Sequence, residues 1–228
     1  MVDAVLLEWE GVLADTGAAR RDSLLRALAD EGVHLSAAAY HACCEGAGVH
    51  GAAFAALASV ARSDPTLAEL VALRAGRSFT ERLARGFTLQ PGAAEFVAGA
   101  AHRARIAIVT TASRAETEVA LRLSGLESAV ACVVTADDVL VPPPAPELYD
   151  RALAHLARRR AAAPERVVAV VQVSAAVCAA RDAGVRTLAV GAPAHVAIDA
   201  DVAVPGLAGV TLDAVTTLLG VSPVTHPE

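Results

Sequence analysis

Glu8 and Glu10 are the residues of this 228-residue chain whose types and spacing could do chemistry. They close the apolar run Leu6-Leu7-Glu8-Trp9-Glu10, ahead of Gly11 and a further acid, Asp15. In a strand, residues two apart share a face, so the pair is expected to project together from the strand's carboxyl end. Open α/β sheets hold their ligands at that end. Two carboxylates placed there can hold a divalent cation, attack a phosphoryl group or move a proton.

The elements that must position them follow from periodicity. Residues 3–9 read as a short buried strand, and from Thr16 to about Arg85 the pattern is helical only. Leu24, Leu25, Leu28 and Ala29 recur at helical spacing, Ser36 caps a second helix, and Asp64-Pro65 opens another with proline in its first turn. Beyond Leu89-Gln90-Pro91-Gly92, strands and helices alternate. Strands are expected at 105–110, 133–134, 166–171, 187–190 and 202–204, and helices at 114–123, 146–159, 174–183 and 212–219. Pro142-Pro143-Pro144 reads as a stiff extended connection. Such alternation implies an α/β fold, a doubly wound and mainly parallel sheet. The expected division is a core of residues 1–15 and 88–228 with a helical cap of residues 16–87, hinged at Asp15-Thr16 and Thr88 to Gly92. A cap inserted just after the acidic strand is expected to close over it and exclude water.

Composition narrows the function classes. A hydrophobic fraction of 55% supplies ample core, the net charge is −6, and Arg158-Arg159-Arg160 is the densest basic cluster, read as a solvated helix face; no nucleic-acid partner is expected. Arg181, Asp182 and Arg186 interrupt the most apolar stretch, so no membrane span is expected. Lysine is absent, and all nineteen basic residues are arginine. Cys43, Cys44, Cys132 and Cys178 lack metal-ligand spacing and are expected to be reduced, structural thiols of a cytoplasmic protein with no signal peptide.

Gly11-Val12-Leu13-Ala14-Asp15-Thr16, Leu89-Gln90-Pro91-Gly92, Ile108-Val109-Thr110-Thr111, Thr135-Ala136-Asp137-Asp138-Val139, Pro144-Ala145-Pro146-Glu147 and Ala179-Ala180-Arg181-Asp182-Ala183-Gly184 follow one another in a recognisable order. On these stretches the chain resembles the haloacid dehalogenase superfamily, in the helical-cap branch that includes phosphoglycolate phosphatases and β-phosphoglucomutase. The resemblance implies a nucleophilic aspartate and an acid/base aspartate, whose positions carry Glu8 and Glu10 here. The added methylene moves each carboxylate by about 1 Å, a displacement that can cost about 10²-fold in rate. It further implies phosphate ligands, matched by Thr110 with the backbone around Thr111, and a lysine, whose position holds Pro143. The acids that complete the family's magnesium site are replaced by Gln172 and Val173; Asp137 and Asp138 remain as weak candidates beside Glu8 and Glu10.

Three functions compete at this level. The leading expectation is a haloacid dehalogenase-like pseudoenzyme with no cofactor, serving to bind a small phosphorylated ligand or a protein partner. The alternative is a magnesium-dependent phosphatase or phosphomutase with Glu8 as nucleophile. The third is an assembly component using the apolar helix around residues 52–60, with the oligomeric state open. In the family, cap residues select the leaving group; Arg20, Arg21, His41 and His50 are unranked candidates, each expected at the surface.

Overall fold

The computed structural model describes residues 2–44, 46–141, 145–158 and 162–220, so the run Pro142-Pro143-Pro144 and the pair Arg159-Arg160 lie outside the described residues. The chain begins with β1 (Ala4–Leu7), β2 (Ala14–Asp15), α1 (Gly17–Asp30), α2 (Ala37–Cys44), α3 (Val49–Ala58) and α4 (Pro65–Ala84). It continues through β3 (Thr88–Leu89), α5 (Ala93–Ala101), β4 (Arg105–Val109), α6 (Arg114–Ser124), β5 (Val130–Val134) and α7 (Glu147–Ala157). The last elements are β6 (Val167–Val171), α8 (Ser174–Asp182), β7 (Arg186–Val190), α9 (Ala194–Asp199), β8 (Val202–Val204) and α10 (Leu212–Leu218).

Six strands form one parallel sheet in the order β5-β4-β1-β6-β7-β8. The doubly wound expectation holds. Alternate residues of each strand feed opposite faces. Val5, Leu7, Ile106, Ile108, Val168 and Val170 pack with α5, α6 and α10 residues such as Phe96, Leu121 and Val215. Ala4, Leu6, Ala107, Val109, Ala169 and Val171 pack with Tyr149, Leu156, Val177 and Val196 on the other side. Burial on both faces explains why these strands read as continuous apolar runs.

Helices α1–α4 gather around a separate cluster that includes Leu24, Leu28, Tyr40, Leu57 and Val71. Asp64 caps α4 by accepting from the Thr66 and Leu67 amides, and the Ser36 hydroxyl accepts from Ala39 N at the start of α2. The apolar face of α3, with Ala52, Ala53, Ala56 and Leu57, is consumed within this cluster. The chain enters and leaves the helical insert through a feature absent from the sequence-based expectation. Residues 14–15 and 88–89 pair as an antiparallel ribbon, with Ala14 opposite Leu89 and Asp15 opposite Thr88.

Other differences are local. β1 stops at Leu7, because the chain turns at Trp9, whose carbonyl accepts from the Leu13 and Ala14 amides. Helix α5 was not expected, although Ala93, Phe96, Val97 and Ala100 carry the required spacing. Ala29 is exposed while Ala27 takes the buried position in α1. Cys178 is exposed rather than buried, since α8 turns Ala176, Val177, Ala179 and Ala180 inward. Cys43 and Cys44 remain thiols with their sulfurs 3.3 Å apart. Among the described residues no helix is long and apolar enough to cross a membrane.

Gly11 makes the turn after β1 possible. Its φ is +79°, and an added Cβ would lie 1.8 Å from Gln172 Oε1. The left-handed backbone strains any larger residue, and Gln172 would have to move aside for its Cβ. Gly11→Ala is expected to lower unfolding free energy by at least about 1 kcal/mol, read from the urea midpoint; an unchanged midpoint would contradict this role.

Candidate functional site

The sheet's strand order reverses direction between β1 and β6, and the crevice outside the carboxyl ends of these strands is where such sheets bind ligands. Glu8 follows β1 and Gln172 follows β6. The two sides of the crevice are joined directly: Glu8 N donates to Val170 O at 3.1 Å, and Gln172 N donates to Glu8 Oε2 at 2.8 Å. The Gln172 side chain turns away to Gly11, with Nε2 donating to its carbonyl at 3.3 Å.

Glu8 and Glu10 do line one cavity, of about 290 Å³, beneath the insert. They reach it by a turn rather than by strand alternation, since both lie beyond β1. Asp15, Arg20, Arg21, Tyr40, His41, Gln90, Thr111, Gln172 and Val173 share the lining. Thr110 and Thr111 lie beside Glu8 in a side cleft with Tyr149 and Gly46. The Thr110 hydroxyl oxygen accepts from Ala112 N at 3.1 Å, which fixes its direction.

The two glutamates have opposite environments. Burial pushes the Glu8 carboxyl up from 4.5 to about 8; the Gln172 amide opposes this, and nearby Glu10 adds to it. The Tyr149 phenol is likewise held well above its ordinary value by burial and by Glu8. Glu10, by contrast, has a cation of its own. Arg20 Nε donates to Glu10 Oε2 at 2.6 Å, and the Thr16 hydroxyl donates to the same oxygen at 3.4 Å.

Arg20 is the chief correction to the sequence-based expectation. It is not a surface residue: its side chain is 12% exposed and bridges Glu10 to Glu116, whose Oε2 lies 3.5 Å from Nη2. Its guanidinium carbon stacks 4.0 Å from the Phe79 ring centroid. Burial works against the charge, but Glu10 and Glu116 outweigh it and hold the guanidinium above its usual range. A signal was present, because Arg20 lies one turn before buried Ser23 and Leu24 on the stripe continued by Ala27 and Leu28. Arg21 and His41 line the cavity, whereas His50 pairs with Glu69 at 2.9 Å. Tyr149 was also missed, although it sits with Leu148, Ala152 and Leu156 on the buried face of α7.

Asp137 and Asp138 are not brought to Glu8 and Glu10. Asp138 accepts from Arg114 Nη2 at 2.5 Å and from Thr135 N at 2.8 Å, and Asp137 accepts from Arg114 N at 2.8 Å. Both acids serve the loop that follows β5. Pro143, the expected lysine position, lies outside the described residues.

These contacts test the site against magnesium. The ion requires several oxygen ligands in near-octahedral order. Among the described residues, no three His, Cys, Asp or Glu side chains converge. One Glu10 oxygen is held by Arg20 and one Glu8 oxygen by Gln172 N. Val173 offers no oxygen and instead faces Gly46 of the insert, with Cγ2 3.3 Å from where a Cβ there would stand. Among the described residues, no third acidic side chain joins Glu8 and Glu10 to complete a site for the ion.

Comparison with known proteins sets this geometry in a class. The family model described as haloacid dehalogenase-like hydrolase matches residues 9–190, and the chain belongs to that family. The fold is similar to CbbY from Rhodobacter sphaeroides, solved in complex with phosphate, at 24% identity over 94% of this chain and 99% of that one, with a TM-score of 0.80. It is similar to β-phosphoglucomutase from Clostridium difficile at 13% identity, covering 96% and 98%, with a TM-score of 0.84. The HAD-hydrolase YfnB from Bacillus subtilis, bound to magnesium, matches at 17% identity over 96% and 99%, with a TM-score of 0.64. No curated protein sequence matches.

The raised Glu8 carboxyl has a consequence for stability. The folded chain holds a proton on Glu8 between pH 4.5 and about 8 that the unfolded chain releases. Stability from this group is therefore fully present below pH 4.5 and is lost as pH rises through about 8. Urea midpoints for wild type and Glu8→Gln across that range are expected to show a shallower decline in the variant. Parallel pH profiles would place the proton elsewhere.

Proposed function

We propose that this chain is a haloacid dehalogenase-fold protein that retains the covered pocket for binding and no longer transfers phosphoryl groups. The observation that carries this reading is the ion pair between Glu10 and Arg20. A general acid/base must exchange its proton with a reacting group. Glu10 instead faces a buried guanidinium, and freeing it leaves Arg20 short of a partner, at a cost of up to about 3 kcal/mol after allowance for the partial exposure of Glu10. The attacking position is equally altered. Glu8 is half-buried, accepts from a backbone amide and holds its proton at neutral pH, and a protonated carboxyl is not a nucleophile.

The pocket still has uses. Its volume of about 290 Å³ and its mixed lining of acids, Arg21, His41, Gln90 and Thr111 suit one small polar metabolite held without covalent chemistry. The insert excludes water from that ligand in the manner of a lid.

Two measurements test this reading on the full chain. Calorimetric titration with magnesium at millimolar concentration is expected to give no binding heat. Incubation with small phosphate esters and magnesium at high protein concentration is expected to release no phosphate above background. Turnover that disappears on Glu8→Ala would overturn the proposal in favour of a phosphatase using Glu8 as nucleophile.

A further inference from the structure

We propose that Arg20 is a latch that holds the helical insert closed on the sheet, with Glu10 and Glu116 as its two catches. The cation and the two acids lie on opposite sides of the junction. Arg20 belongs to α1 of the insert, whereas Glu10 lies in the turn after β1 and Glu116 on α6. Moving the insert away from the sheet must break the contacts at 2.6 Å and 3.5 Å together.

The insert carries the cation ready-made. The Phe79 ring under the Arg20 guanidinium lies on α4, so this contact stays within the insert and moves with it. Stacking on an aromatic face restrains the long side chain before it meets its acids, which lowers the ordering cost of closure.

The acids in turn need the cation. Glu116 is 2% exposed, its Oε1 has no partner, and its Oε2 is shared between Ser113 N at 3.0 Å and Arg20. Without Arg20, the closed form would bury one carboxylate close to a second with no counter-charge between them. Closure elsewhere leaves little slack. Thr111 O lies 2.9 Å from where a Cβ on Gly48 would stand, and Val173 closes on Gly46. The latch therefore adds a charged contact to the apolar one made by Phe79 and Leu83 of α4, which are buried in the core cluster, whether or not the pocket is catalytic.

Glu116 permits a mild test. It is the third residue of a capping box in which Ser113 and Glu116 satisfy each other's backbone amides, and glutamine serves equally there. Glu116→Gln thus removes the negative charge of this catch while keeping an acceptor for the helix start. Hydrogen exchange followed by mass spectrometry on the full chain compares wild type, Glu116→Gln and Arg20→Met. Both variants are expected to exchange roughly 10- to 100-fold faster at residues 14–18, 46–48 and 86–90, with β1 and β6 unchanged. The double variant is expected to add less than the sum of the single effects. Wild-type rates at those segments in Glu116→Gln would overturn the latch, as would acceleration shared equally by β1 and β6. Should Arg20→Met not fold, Glu116→Gln decides alone. Phosphate release is not read, so the outcome is separate from the proposal on function.

Discussion

Of the two acids beyond the end of β1, Glu8 keeps its proton up to about pH 8, and it is Glu10 that takes a counter-charge. The core described here provides a backbone amide for Glu8 and no cation for Glu10. That charge arrives from the insert as Arg20, stacked on Phe79 and reaching across to Glu10 and Glu116. The position of the insert, the direction of Glu10 and the start of α6 are thereby tied to one guanidinium. In a partly buried setting such a network is held less by net attraction than by the cost of breaking it, since loss of Arg20 leaves Glu10 and Glu116 without their shared counter-charge.

The crevice between β1 and β6 lies where open α/β sheets hold their ligands. Here the β6 end contributes an amide that accommodates the Glu8 carboxyl, a glutamine turned toward Gly11, and a valine against the insert at Gly46. The Val173 side chain thus gives the covering helices an apolar contact at Gly46. The frame itself rests on strand alternation and on glycine turns, of which the turn at Gly11 also takes a hydrogen bond from the Gln172 side chain.

Much of that frame was legible in the sequence. The β-branched runs at 167–171 and 186–190, the Asp64-Pro65 helix start and the Ser36 cap all depend on neighbours a few residues away, and each element formed within one or two residues of its expected bounds. Helix α5 was missed although its spacing was present, and the β2–β3 ribbon was missed because two-residue strands have no period to read. Within the site, Glu8 and Glu10 share one cavity with Thr111, and Glu8 shares a side cleft with Thr110 and Thr111.

The sequence by itself determined the α/β class, the inserted helices and the acids at the end of β1, because these follow from local periodicity and chain order. Tertiary structure alone decided what those acids can do. Arg20 reads as an ordinary charge on an amphipathic helix until the fold sets it against Glu116, 96 residues away. Glu8 reads as a second acid like Glu10 until burial and the Gln172 amide, 164 residues distant, make it a different group. Charge is written in the chain, but the dielectric surroundings and the counter-ion that give it meaning exist only once distant segments meet.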